Sequence, residues 1–120
     1  MDVVIDLGSG WMKAGPAEKD EPTVVEAAVV GRPRSGGVMV GMTGRDRWAG
    51  DEAMAKRQIL SLEYANEHGI VTNFENAGLL WKHAFAQLEA DPAQCRVLVA
   101  QSPDVPARLL IARFGAAAAR

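Results

Sequence analysis

The sequence predicts an α/β fold in which a mixed sheet opens with three antiparallel strands and later gains a parallel strand. Short β-branched runs separated by a glycine-containing turn occupy the first 30 residues, a pattern typical of an antiparallel meander. A segment of helical periodicity follows at 73–89, and a short apolar run of strand length comes soon after it. A helix between two strands favours a parallel pair joined by a crossover.

The first 30 residues predict a hairpin and a third strand. Val3-Val4-Ile5 is a β-branched run ending at Asp6, and Gly8-Ser9-Gly10 supplies turn chemistry. The segment from Trp11 to Ala14 alternates apolar and polar residues, as a returning strand does. The apolar run Val24 to Val30 predicts the third strand.

An inserted flexible loop region is predicted at about residues 34–66. Its first part carries glycines at 36, 37, 41 and 44 around the apolar residues Val38, Met39 and Val40. Apolar content is unusual in an exposed loop, although a methionine here also fits a simple gap-filling role.

The clearest predicted helix runs from Asn73, a favoured N-cap residue, to Glu89, and Asp91-Pro92 ends it. Trp81 and Phe85 lie near its apolar stripe, so we expect both in the core. The run Val97 to Ala100 predicts a central, buried strand. Alanine-rich residues 107–120 are compatible with a further helix, and all 120 residues are expected to form a single domain.

Composition excludes some classes of function. Hydrophobic residues make up 48% and charged residues 23% of the chain, with a net charge of −2 and no block of like charge. We therefore expect neither nucleic acid nor a membrane as a partner. The single cysteine, Cys95, suits a reducing compartment, and the absence of a long apolar run or basic leader favours a cytoplasmic location.

The hairpin turn carries the residues with chemical potential. Glycines allow successive backbone N–H groups to converge on an anion, and Ser9 and Lys13 would add a donor and a positive charge. Asp6 suits a hydrated Mg²⁺ beside a phosphate. Taken alone, such a pattern is more often an ordinary hairpin with convenient glycines.

Several separate stretches favour the phosphate interpretation, because together they resemble the actin family over roughly the first 106 residues. These stretches are Asp6-Leu7-Gly8-Ser9-Gly10, Lys13-Ala14-Gly15, Val30-Gly31-Arg32-Pro33-Arg34, Gly37-Val38-Met39-Val40-Gly41-Met42, Gly50-Asp51-Glu52-Ala53, Lys56-Arg57, Ile59-Leu60 and Glu67-His68-Gly69-Ile70-Val71-Thr72-Asn73. They occur in the order and spacing of the family.

The resemblance implies a partial actin-like, ribonuclease H-like domain that binds ATP with Mg²⁺. By this likeness, Gly8, Ser9, Gly10 and Lys13 contact phosphate, and Asp6 holds the metal through water. His68 corresponds to a histidine near the nucleotide that many actins methylate, although a hydrogen-bonded turn histidine is its simpler interpretation. Val38, Met39 and Val40 form the tip of the loop that contacts a neighbouring subunit. The implied partners are actin or actin-like subunits and actin-binding proteins, and the implied location is the cytoplasmic cytoskeleton.

The chain also departs from the family pattern. Leu7 stands where actins usually have asparagine, the tail at 107–120 diverges, and the sequence stops before the second lobe with its second phosphate hairpin. Phosphoryl hydrolysis needs charge stabilisation from several sides. We therefore expect no ATP hydrolysis from residues 1–120 alone.

Two alternatives to a cytoskeletal structural protein remain. One is an ATP-binding member of the wider fold group that includes sugar kinases and heat-shock chaperones; the runs at 37–42 and 67–73 are similar to actins and not to those relatives. The other is an actin-related regulatory subunit or binding module that has lost nucleotide function, which Leu7 and the divergent tail favour.

Overall fold

A computed structural model describes residues 1–34, 46–67, 70–71 and 73–100. The elements are β1 (Asp2–Leu7), β2 (Trp11–Pro16), β3 (Val24–Ala27), β4 (Val29–Pro33), β5 (Trp48–Ala49), α1 (Gly50–Ala55), β6 (Leu60–Tyr64), β7 (Asn66–Glu67), β8 (Ile70–Val71), α2 (Phe74–Leu88), a 3-10 turn (Pro92–Gln94) and β9 (Arg96–Val99).

The first sheet confirms the predicted mixed topology. Its four strands lie in the order β3-β2-β1-β9. The β1–β2 and β2–β3 pairs are antiparallel, whereas β9 runs parallel to β1 after the crossover that contains α2. The α/β fold class and the antiparallel three-strand start are therefore both as predicted.

Strand alternation decides which face of this sheet is buried. In β1, Val3, Ile5 and Leu7 are buried, while the residues between them are exposed. Residues at period two point to the same face, so these three side chains form one apolar row. That row packs in a core with the buried face of α2, whose contributors are Ala77, Leu80, Trp81, Ala84 and Phe85.

Helix α2 begins and ends at the predicted signals. The Asn73 side chain accepts a hydrogen bond of 3.0 Å from the backbone N–H of Asn76 and caps the first turn. Glu89 closes the helix in the left-handed conformation with φ of 54°. Trp81 and Phe85 are 2% and 4% exposed, which confirms that they belong to the core.

The predicted third strand, Val24 to Val30, was wrong as one element, because the chain bends at Ala28. The half before the bend, β3, pairs with β2, and the half after it, β4, pairs with β5 and β6. At the bend the N–H of Ala27 donates to Asp51 Oδ1 at 2.9 Å and that of Ala28 donates to the Gly10 carbonyl at 3.1 Å. The Gly10 contact continues the β2–β3 register by one residue beyond Trp11 and Ala27, and Asp51 binds Ala27 from outside that ladder, so neither donor is left unsatisfied where the sheet pairing changes.

The second sheet has the strand order β5-β4-β6 and is antiparallel. Helix α1 packs on it through Ala53, in a small core with Val29, Trp48 and Leu60. Residues 48–64 therefore hold two strands and a helix, more regular structure than the predicted loop region at 34–66 allowed. Residues 35–45, which include the glycine-rich part of that region, lie outside the described residues.

Strand β9 differs from the prediction of a central, buried strand. It is the end strand of the four-stranded sheet as described, and its residues alternate between exposed and half-buried. Leu98 is 68% exposed because α2 covers only the face to which Val97 and Val99 point.

Neither helix within the described ranges is long and apolar enough to span a membrane.

The β9 strand is joined to the start of β1 by an exposed ion pair. Two guanidinium nitrogens of Arg96, Nε and Nη2, each donate to one oxygen of the Asp2 carboxylate at 2.8 Å. The hydrogen bonds from Arg96 hold the pKa of the Asp2 carboxyl below its usual 3.8, and the same contact raises the pKa of Arg96.

Replacing Arg96 should abolish the lowering of the Asp2 pKa. In Arg96→Gln, we expect the Asp2 pKa to rise back towards 3.8, as measured by carboxyl-detected NMR titration. A lowered pKa in the folded state means that the ion pair contributes stability above about pH 3.8 and loses that contribution as the pH falls through the folded-state value. Arg57→Gln, another exposed arginine, is the control. A wild-type Asp2 pKa at or above 3.8 would contradict the pairing.

Candidate functional site

The chemistry-bearing residues meet at the tip of the β1–β2 hairpin. The backbone N–H of Gly8 donates to the carbonyl of Trp11 at 2.9 Å and closes a tight turn with Ser9 and Gly10 at its centre. A Cβ on Gly8 would lie only 2.9 Å from that Trp11 oxygen, so the close approach of the two strands requires glycine here. A Cβ on Gly10 would meet no atom of the described chain within 4 Å.

Two backbone carbonyls beside the tip are bound by distant parts of the fold. The Gly10 carbonyl accepts from the N–H of Ala28, at the bend between the two sheets. The Leu7 carbonyl accepts from the side-chain amide of Asn66, which is only 5% exposed and lies in β7. The turn is therefore anchored on both sides by contacts that are not part of the hairpin itself.

Asp6 and Lys13 lie opposite each other in the β1–β2 ladder, on the exposed face of the sheet. A groove of about 280 Å³ runs from this pair along the face towards the β2–β3 connection. Its walls are formed by Val4, Asp6, Lys13, Ala14, Gly15, Pro16, Ala17, Lys19, Asp20, Glu21 and Pro22. Because it contains two lysines and three acidic residues, the groove has no strong preference for one sign of charge. The carboxylate–ammonium pair next to the glycine turn is its most specific chemical feature.

Comparison with protein-family models gives a match that covers most of this architecture. The model described as Actin matches residues 1–109, a range that includes every described strand and helix. The chain belongs to the actin family. This membership agrees with the mixed α/β topology of the first sheet and with the sequence motifs distributed from Asp6 to Asn73.

The hairpin of this actin-family chain carries one carboxylate, one ammonium group and a glycine-containing turn, the residue types on which the prediction of a phosphate and hydrated Mg²⁺ depends. Among the described residues, no group of three or more histidine, cysteine or acidic side chains is arranged to hold a metal by itself. One carboxylate at Asp6 suits Mg²⁺, which usually keeps several waters and takes phosphate oxygens as ligands. The open space beside Gly10 leaves room for a ligand to approach the backbone of the turn.

The structure brings together five of the residues predicted from the sequence. Asp6 and Lys13 lie on one face of the hairpin, and Gly8, Ser9 and Gly10 form its turn. Their contact with nucleotide stays a prediction. The other predicted site residues, Val38, Met39, Val40 and His68, lie outside the described residues.

Two contributors near the site were missed by sequence reasoning. Asn66 lies in a short segment with no motif or periodicity, and Ala28 acts through its backbone, which no side-chain pattern identifies. A third feature lies at the end of β3 next to the bend: His83 Nε2 and Glu26 Oε1 are 2.7 Å apart, and the same glutamate oxygen accepts from the Asp51 N–H. This network joins α2, β3 and α1.

The two turn glycines should respond differently to alanine. We expect Gly8→Ala to lower the free energy of unfolding by about 1–3 kcal/mol, because the new Cβ would press on the Trp11 carbonyl. Gly10→Ala should be neutral or stabilising by up to about 1 kcal/mol, since its φ is not positive and its surroundings are open. Urea unfolding of both variants measures the difference. Equal destabilisation would contradict the turn geometry.

Proposed function

We propose that the chain is an actin-like cytoskeletal protein that binds the phosphate groups of Mg-ATP at its β1–β2 hairpin. The observation that carries the proposal is the location of the Asp6–Lys13 pair. It faces solvent and is separated by one ladder pair from a glycine-serine-glycine turn that is anchored on both sides. Family membership gives this hairpin its most specific interpretation.

Each residue has a distinct role in the proposed site. The backbone of Ser9 and Gly10 offers N–H groups to phosphate oxygens, and the Ser9 hydroxyl adds a side-chain donor. Gly8, whose N–H donates to the Trp11 carbonyl, shapes the turn that lies against the phosphate. Lys13 provides a positive charge on the returning strand, which neutralises part of the phosphate charge. Asp6 accepts hydrogen bonds from the waters around Mg²⁺, and the bound ion would supply the remaining charge neutralisation.

The proposed site binds from one side only. Asp6, Lys13 and the turn all come from a single hairpin, whereas hydrolysis requires a positioned water and stabilisation of charge from several directions. We therefore propose binding without appreciable hydrolysis for residues 1–120.

Calorimetric titration with Mg-ATP tests the proposal. We expect a Kd tighter than about 100 μM, equivalent to roughly 5.5 kcal/mol, and loss of binding in the Ser9→Ala, Lys13→Ala double variant. Lys82→Ala removes the same charge from an exposed position on α2 and should bind as the wild type does. Phosphate release is measured on the same samples and should stay at background.

Wild-type protein without measurable affinity would overturn the nucleotide proposal. It would favour instead an actin-related regulatory subunit or binding module, for which the apolar Leu7 beside the turn is the supporting feature. Affinity that survives in the double variant would place the ligand elsewhere.

We also propose that Val38, Met39 and Val40 contact a neighbouring actin or actin-like subunit in the cytoplasmic cytoskeleton. Family membership and the apolar character of these three residues support this proposal. In co-sedimentation with actin filaments, the wild type should appear in the pellet and a variant with serine at all three positions should remain in the supernatant. Equal distribution of the two proteins would contradict it.

A further inference from the structure

The carbonyl of Leu7 occupies a special position at the end of β1. Successive backbone groups in a strand point to opposite sides, and the Ile5 carbonyl points towards β9, where it accepts from the N–H of Ala100 at 2.9 Å. The Leu7 carbonyl therefore points to the same side. The β1–β9 register ends at the pair of Ile5 with Val99, so the ladder described for these strands supplies no partner for Leu7.

Among the residues that the structure describes, Asn66 binds this carbonyl. Its side-chain amide donates to the Leu7 carbonyl across a separation of 59 residues in the sequence. Both residues are buried, with exposures of 5% for Asn66 and 6% for Leu7. A buried carbonyl without this hydrogen bond would bear a desolvation cost of about 1–3 kcal/mol.

The contact fixes a peptide group that belongs to the turn. The Leu7 carbonyl and the Gly8 N–H are parts of one planar peptide unit. Asn66 binds its oxygen, and the Trp11 carbonyl accepts from its N–H, so both ends of this unit are fixed. On the other side of the turn, Ala28 binds the oxygen of the peptide unit between Gly10 and Trp11. Only the two peptide units around Ser9 lie between these fixed ones.

The side-chain amide of Asn66 is only half satisfied. Asn66 Oδ1 is buried and has no hydrogen-bond partner in the part of the chain that the structure describes. An unsatisfied buried acceptor costs free energy, so it offsets part of the stability that the amide donor contributes. What Asn66 adds at this position is that donor, which reaches the Leu7 carbonyl.

We propose that Asn66 is a positioning residue for the phosphate-binding turn. By binding the Leu7 carbonyl it sets the plane of the Leu7–Gly8 peptide, and thereby the direction in which the N–H groups around Ser9 point. This inference rests on the proposed function of the hairpin. It adds to that site a residue from outside the hairpin, Asn66 in β7.

The matched variants are Asn66→Leu and Asn76→Leu. Asn76 is also fully buried, and it also has an unsatisfied Oδ1, but its amide donates to Glu63 Oε2 at 2.9 Å, away from the hairpin. We expect Asn66→Leu to weaken Mg-ATP binding by about 3- to 10-fold and to lower the urea midpoint, because the buried Leu7 carbonyl loses its donor. Asn76→Leu should leave the Mg-ATP affinity unchanged.

A second variant gives a readout that side-chain packing would not produce. Asn66→Asp keeps the size of the side chain but loses the donor when ionised, so its affinity relative to wild type should be low at pH 8. It should recover as the pH falls, because the protonated carboxyl can again donate to Leu7. This variant also provides the test if Asn66→Leu does not fold. Wild-type affinity in Asn66→Leu, or in Asn66→Asp at every pH, would overturn the inference.

Amide hydrogen exchange without ligand separates this inference from the nucleotide proposal. If the wild type does not bind Mg-ATP, the proposed function fails, and exchange at Gly8, Ser9 and Gly10 still reports on the role of Asn66. Faster exchange at these three amides in Asn66→Leu than in Asn76→Leu would support positioning of the turn. Equal rates in the two variants would overturn it.

Discussion

The architecture depends on a single bend at Ala28, where one apolar segment leaves the first sheet and enters the second. Where a strand changes sheets, its backbone N–H groups still need hydrogen-bond acceptors. The Asp51 carboxylate accepts a hydrogen bond from the N–H of Ala27, and the Gly10 carbonyl accepts one from the N–H of Ala28. Asp51 and Gly10 therefore both lie where the bend needs a hydrogen-bond acceptor. The hairpin tip is bound to the junction of the sheets, and the first turn of α1 is bound to the end of β3.

The same junction explains the side chains around α1. Glu26 lies between the His83 ring and the backbone N–H of Asp51, so one carboxylate connects the long helix to the short one. Gly50 adopts a φ of 69°, and a Cβ at this position would overlap both Glu26 and His83. Glycine is thus required here for its conformation and for its small size together. The two sheets are joined by polar contacts of fixed geometry in addition to apolar packing.

The sequence predicted the elements whose signals are local. Helix α2 has an asparagine cap and a proline after its end, and the first hairpin has its glycine turn, so each was recognisable within a few residues. The bend at Ala28 was not recognisable from the sequence. It depends on acceptors at Gly10 and Asp51, which only the folded chain brings close to Ala28 and Ala27. The exposed face of β9 likewise follows from what α2 leaves uncovered. In the candidate site, Asp6, Lys13 and the turn followed from motif and spacing, while Asn66 acts across 59 residues and has no sequence signature.

The distance along the chain between Leu7 and Asn66 has a consequence for the order of assembly. A hairpin such as β1–β2 closes within about 1–10 μs, because its contacts are local. The Leu7 carbonyl of this hairpin, however, is bound by a residue 59 positions later in the sequence. Contacts between residues so far apart in the sequence form late. At a synthesis rate of roughly 5–20 residues per second, Asn66 is added about 3–12 s after Leu7. During translation the residues of the hairpin therefore precede Asn66 by seconds, and the turn reaches its final geometry only when β7 has been made and docked.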